Sequence, residues 1–296
     1  MSNQVTTAFV RQYRDNVSML AQQKGSKLRR SLMIETSQNG EKAYFDQIAA
    51  TAAQRTTSRH ADSPLMNTPH DRRQVTLVDV EWGDLIDNRD RIRLLIDPTS
   101  AYSMNAAWAV GREIDDIIIE KFFADAKTGK DGDSTTSFPA SQTIEKDISG
   151  TANGLTVEKL REARKLLLSN DVDLEMEGAA YIGVTSAQLD NLLGTTEVTS
   201  ADYNGVKALV KGEINTFMGF TFIQCERFAT KQEGGNTIRR CPVWVPSGMG
   251  LAIGAEPRAR ISERADKRYS TYVYWSGSFG ATRLEEEKVI EVECKE

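Results

Sequence analysis

Residues 37–96 constrain the fold more than any other stretch. AYFDQIAA and QVTLVDVEWGDLI both alternate with a period of two, as half-buried strands do. Between them, TAAQRTTSRHADSPLMNTPHDRR sustains neither a helical nor a strand period. Two strands around a polar, proline-bearing tip make a long hairpin, and a two-stranded ribbon is marginal by itself in water. Alternation predicts that Val75, Leu77 and Asp79 share one face, with Thr76, Val78 and Val80 on the other. Burying such apolar side chains stabilises the ribbon by roughly 25 cal/mol per Å². The ribbon has no core of its own, so its cover is expected to come from another subunit.

The remaining chain reads as α+β without regular alternation of strand and helix. Residues 5–22 place Phe9, Tyr13, Val17 and Leu20 on one helical stripe, and the first 34 residues hold six basic side chains against the single acid Asp15. This is an arm suited to a neighbouring chain or an acidic partner, or else a solvated tail. After Asp97-Pro98-Thr99-Ser100, which supplies a stop and candidate caps, TSAYSMNAAWAVGREIDDIIIEKFFADA predicts a helix about 40 Å long. Ala107, Val110, Ile114, Ile117, Ile118, Lys121 and Phe122 follow its period, and Arg112, Asp115, Asp116 and Glu120 fill the far side. A second helix opens at Thr156, and YIGVTSAQLDNLLG reads as strand, cap and short helix. GEINTFMGFTFIQCERF contains a turn between strands, marked by Gly212 and Gly219, and the chain closes with several more strands.

No catalytic constellation emerges. His60 and His70 both fall in the irregular hairpin tip and read as solvated. Gly248-Met249-Gly250-Leu251-Ala252-Ile253-Gly254 follows PVWV like a loose dinucleotide loop, but Glu256-Pro257 interrupts the helix whose N-terminus would bind the phosphates. Asp115-Asp116 and Glu285-Glu286-Glu287 read as solvated faces, since adjacent residues on a helix point about 100° apart. Cys225, Cys241 and Cys294 are odd in number, lack CxxC spacing and sit in apolar surroundings, so buried reduced thiols are expected. No cofactor, metal site or enzyme activity is expected. A net charge of −5 argues against a generic nucleic-acid coat, and neither a signal peptide nor a membrane-spanning run is visible, so a cytosolic site of synthesis is expected.

Four stretches carry a resemblance to the major capsid (coat) proteins of tailed bacteriophages, which share the Hong Kong 97-like fold. VTLVDVEWGDLIDNRDRIRLLIDPTSAYSMNAAWAVGREIDDIIIEKFFADA is similar to the family's returning loop strand followed by its spine helix. LTVEKLREARKLLLSNDVDLEMEGAAYIGVTSAQLDNLL is similar to the step into the axial domain, GEINTFMGFTFIQCERF to that domain's strand turn, and YVYWSGSFGATRLEEEKVIEVEC to the terminal strands of the peripheral domain. The resemblance implies an N-terminal arm at 1–36, an extended β-hairpin loop at 37–96, a peripheral domain with the spine helix at 97–172, an axial domain with a mixed sheet at 173–254, and peripheral C-terminal strands at 255–296.

It also implies a structural function. Copies would assemble in the host cytoplasm into hexamers and pentamers of an icosahedral head enclosing double-stranded DNA, held non-specifically, with scaffolding and portal proteins as partners and no membrane. No long coiled-coil segment precedes the arm, which favours a separate scaffolding protein. An encapsulation shell of the same fold around a protein cargo is the alternative, and an α+β enzyme the third. The subunit-interface candidates are Phe9, Tyr13, Arg29 and Arg30 in the arm, Arg55, Arg59, Arg72 and Arg73 along the hairpin, and Val75, Leu77 and Trp82 on its returning strand.

Overall fold

The computed structural model describes residues 21–36, 40–55, 59, 65–87, 99–148, 150–194 and 216–296. Along the chain run β1 (Met33–Thr36), β2 (Lys42–Ile48), β3 (His70–Thr76), β4 (Val78–Ile86) and the long helix α1 (Thr99–Phe122). Next come β5 (Ala126–Thr128), β6 (Ser134–Thr136), β7 (Thr143–Ile144), α2 (Val157–Ser169), β8 (Ala180–Val184) and α3 (Ser186–Leu193). The chain closes with β9 (Thr216–Phe217), β10 (Phe220–Gln224), β11 (Thr230–Glu233), β12 (Asn236–Trp244), β13 (Met249–Arg264), β14 (Ser270–Arg283) and β15 (Val289–Lys295).

The first sheet has the order β1-β13-β14-β4 and lies against α1. Its helix side is built by the stripe that periodicity predicts: Val110, Ile114, Ile117, Ile118 and Phe122 meet Met249, Leu251 and Ile253 of β13 and Phe279 and Ala281 of β14. The second sheet, β7-β15-β12-β8-β10-β9 with β11 on β12, packs on α2 and α3 through Leu160, Ala163, Leu167 and Leu192. Strand β12 is buried on both faces. Cys241 and Val243 face the α2 side, whereas Trp244 enters the α1 core, 4.8 Å from the Phe122 ring. That double burial is the physical reason for the unbroken apolar run around Val243-Trp244-Val245. A third, small sheet, β2-β3-β5-β6, joins the hairpin to the segment after α1.

Local signals behave as their chemistry dictates. Thr156 Oγ1 accepts from the Lys159 amide at 3.4 Å, and the Thr185 amide donates to Gln188 Oε1 at 3.0 Å, so both short-range caps form. Met218 and Gly219 both take positive φ, 53° and 85°, which is the geometry of a two-residue hairpin turn. The glycine run at 248–254 leads into and forms part of β13, so it cradles no phosphate. Gly212, Asp97 and Pro98 lie outside the described residues.

Two expectations are corrected. QVTLVDVEWGDLI is not one strand: the Leu77 amide bonds to the Glu41 carbonyl, and there the chain leaves β2 to pair with β14. Met249–Arg264 belongs to the α1 sheet and the last strand, Val289–Lys295, to the sheet of α2 and α3, so each large sheet draws strands from well-separated parts of the chain. Asp115 is not solvated. It is fully buried, and it accepts from Gln23 Nε2 at 2.5 Å, Ser26 Oγ at 2.6 Å, and the Lys27 and Leu28 amides at 3.0 and 3.2 Å.

Residues 21–32 therefore cross α1 as a strap. A Cβ at Gly111 would stand 2.6 Å from the backbone of Gly25 and Ser26, so only glycine lets the strap approach. Arg112 Nη1 binds Gln22 Oε1 and the Gln23 carbonyl, Lys24 sits 5.6 Å over Trp108, and Leu28 is fully buried. Asp116, the neighbouring acid, instead forms a two-pronged ion pair with Arg227. Replacing Asp115 by Ala strands two buried amides and is expected to cost on the order of 3 kcal/mol. Urea unfolding followed by tryptophan fluorescence checks it: Asp115→Asn should lose less, and a change below about 0.5 kcal/mol would show that other contacts hold the strap.

Candidate assembly surfaces

The hairpin is anchored at its root. Ala43 and Phe45 of β2 and Val75 of β3 pack with Ala252 and Leu284 in a core of their own, and Leu77 borders it. A Cβ at Gly280 would lie 2.5 Å from Val75 Cγ1, which shows how closely the root is seated. Arg73, only 5% exposed, donates from Nε to the Leu284 carbonyl at 3.0 Å and from Nη2 to both Glu286 carboxylate oxygens, at 3.1 and 2.8 Å. Glu286 also meets Arg283 Nε at 3.4 Å. Arg283 is fully buried, and its Nη1 donates to the carbonyls of Phe122 and Ala124 at the end of α1, at 3.0 and 2.9 Å. Burial pulls the Arg283 guanidinium below its ordinary pKa, and the Glu286 carboxylate opposes that shift.

Beyond the root the ribbon stands uncovered. Ala49–Arg55 and Leu65–Pro69 are exposed, with Ile48 at 69% and Leu65 at 91%. Arg72 pairs with Asp46 at 2.5 Å and lies 5.2 Å over the Tyr44 ring, an exposed contact that holds the Asp46 carboxyl below its usual range.

A second projection is the limb of β13 and β14. Strand β1 covers β13 only from Gly250 to Ile253, so the edge from Gly254 onward has no strand beside it among the described residues. Arg29 pairs with Glu256 at 2.6 Å where this edge begins. Tyr272 and Tyr274 stack at 5.9 Å on the limb. On the opposite side of the sheet β4 is also an outer strand, and between it and α1 opens a cleft of about 320 Å³ lined by Val78, Asp79, Val80, Glu81, Trp82, Ala109, Val110 and Glu113.

Among the described residues no group of three or more His, Cys, Asp or Glu side chains is placed to hold a metal, and no helix is long and apolar enough to cross a membrane. The three cysteines are buried and free.

The whole of this layout has relatives. A family model described as phage capsid protein matches residues 5–296. The chain belongs to the phage capsid protein family. No curated protein matches it. Among solved structures, the capsid of Ralstonia phage GP4 is 12% identical with a TM-score of 0.73, covering 97% of this chain and 95% of that one. The capsid of cyanophage P-SCSP1u is 15% identical with a TM-score of 0.68, over 97% and 93%. The capsid of a native GTA particle is 13% identical with a TM-score of 0.66, over 99% of each chain. At these identities the likeness is one of fold, and that fold is the α+β, Hong Kong 97-like capsid fold. The capsid protein is a structural component of the virion and not an enzyme.

The interface candidates divide by position. Arg30, Arg55 and Arg59 are exposed, Arg29 and Arg72 are engaged in exposed ion pairs, and Trp82 is half-buried beside α1. Phe9 and Tyr13 lie outside the described residues. Arg73 and Val75 are buried within the subunit, where the root of the ribbon has a core. Arg283 was missed, since nothing in a local window marks an arginine that will reach a helix end 161 positions away, and the reading of Glu286 as solvated is corrected, because its carboxylate is largely buried between Arg73 and Arg283. Lys159, fully buried with its ammonium on the carbonyls of Asn153, Gly154 and Glu293, was also missed, since only the last strand closes its site from the far side. Removing Glu286 leaves two buried guanidiniums without their shared anion. Glu286→Ala is expected to cost about 3–5 kcal/mol and to open the hairpin root to limited proteolysis within residues 42–76; a cleavage pattern and melting temperature equal to the parent's would contradict this.

Proposed function

We propose that the capsid protein self-assembles into hexamers and pentamers that close an icosahedral head around double-stranded DNA, with the extended hairpin of each copy lying across its neighbour. The observation that carries this reading is the contrast within one ribbon: its root is locked into the subunit by Val75, Arg73 and Glu286, while its tip exposes Ile48, Leu65 and Arg55 to whatever lies beside it. A rigid root aims the tip, and burial of the exposed apolar groups then favours a second copy. The spine-helix sheet serves as the peripheral domain, the sheet of α2 and α3 as the axial domain, and residues 1–36 as an arm toward a neighbour. A scaffolding protein guides curvature and a portal occupies one vertex. The net charge of −5 suits a wall that holds DNA loosely. The phage capsid family match supports a phage head over a shell around a protein cargo.

Light scattering coupled to size exclusion is expected to show megadalton particles; a wild type that stays monomeric across salt, pH and added scaffold would overturn the reading. The informative deletion is residues 50–68 joined by a short glycine linker, which leaves Arg73 in place at the root. That variant is expected to keep its circular dichroism spectrum and lose assembly, and normal particle yield would count against the role of the tip.

A further inference from the structure

We infer that the basic open edge of β13 in one copy lies along the acidic open edge of β4 in the next, continuing the first sheet head to tail between subunits. The inference rests on the shell reading and names one contact within it.

Among the described residues the α1 sheet leaves open the β4 edge and the part of the β13 edge beyond β1, and the strand register shows how their side chains are sided. Ser276 of β14 pairs with Arg258 on one side and Glu81 on the other. Arg258 and Arg260 therefore share a face with Asp79 and Glu81. Trp275 likewise pairs with both Ala259 and Trp82, which puts Ala259 and Ile261 on the face of Val80 and Trp82. If one copy's β13 edge is laid along another's β4 edge, arginines stand beside carboxylates on one face and Ile261 beside the apolar side chains of β4 on the other.

Most of these groups lack a charged partner within the subunit, while Glu81 accepts from the Tyr274 hydroxyl across the sheet. Arg258, Arg260 and Arg268 form no ion pair among the described residues, and neither does Asp79. Ile261 is 54% exposed and Val78 51%. The 320 Å³ cleft between β4 and α1 is lined by the apolar Val78, Val80, Trp82 and Val110 together with Asp79, Glu81 and Glu113. Long open edges pair readily with other strands, and charge selects which. On the face of Arg258 and Arg260 two β13 edges would set like charges together, as two β4 edges would at Asp79 and Glu81, and the unlike pairing avoids both. Such a contact joins different patches on the two copies, and it closes into a ring when the rotation between copies allows.

Charge exchange tests this under conditions in which the wild type forms particles. Arg258→Glu with Arg260→Glu, and separately Asp79→Lys with Glu81→Lys, are each expected to raise the protein concentration needed for assembly at least tenfold, and the fourfold variant to recover most of it. If either pair assembles like the wild type, the edges do not meet and their charges merely guard them; a basic-edge variant that assembles normally but retains less DNA would equally overturn the contact. Failure of the fourfold variant to recover, with an unchanged circular dichroism spectrum, would also overturn it. Should the reversals misfold, the neutral pair Arg258→Gln and Arg260→Gln is read by salt: raising ionic strength from about 0.05 M to about 0.5 M should weaken wild-type assembly and leave this variant nearly unaffected, and equal sensitivity would refute the pairing. A wild type that never assembles would instead fail the shell reading, which separates the two.

Discussion

Burial of Arg283 at the C-terminal end of α1 is the contact on which the rest of the subunit depends. The last carbonyls of any helix lack partners within it, and here Phe122 and Ala124 give theirs to one guanidinium. A fully buried cation needs an anion, and Glu286 supplies it while reaching Arg73 at the base of the hairpin. Three parts of the chain thus share one charge network: the end of the long helix, the final turn before β15, and the ribbon. The ribbon's direction is consequently set by the helix rather than by the ribbon's own two strands.

The long helix is enclosed on two sides. One face meets the sheet through Ile114, Ile118 and Phe122, and the strap crosses the other with Asp115 as its anchor. Four neutral donors converge on that carboxylate, and among the described residues hydrogen bonds rather than an ion pair hold it. Trp244 links the strap to the second sheet, since its Nε1 donates to the Ser31 carbonyl at 2.9 Å. A subunit braced in this way can leave its two projections, the hairpin tip and the limb of β13 and β14, exposed without losing its fold. Those projections are where a shell protein has surface to offer its neighbours.

Elements governed by near neighbours are legible in the chain itself. The stripe of Val110, Ile114, Ile118 and Phe122, the Thr156 and Thr185 helix starts and the Met218-Gly219 turn each follow from spacing or a single capping side chain, and all appear. The ribbon is legible as two strands around an exposed tip, but the division of its second strand at Leu77 is not, because that depends on the far later β14 becoming a partner. Asp115 illustrates the same limit from the side of charge. On a helical wheel it stands opposite the apolar stripe and reads as solvated, and only the strap, which comes from far earlier in the chain, turns that side into an interior.

By itself the sequence determined the α+β character, the order and approximate ends of the main elements, the absence of a catalytic signature, and the need of a long polar-tipped ribbon for some outside surface. Periodicity and capping act over a few residues, and they are written in the chain. Only the tertiary structure decided that the ribbon's root is covered from within, that the last strand joins the sheet of α2 and α3, and that Arg283, Glu286 and Arg73 share one buried site. Those outcomes turn on which distant strands pair and which charges are carried out of water together, and no local window contains both partners.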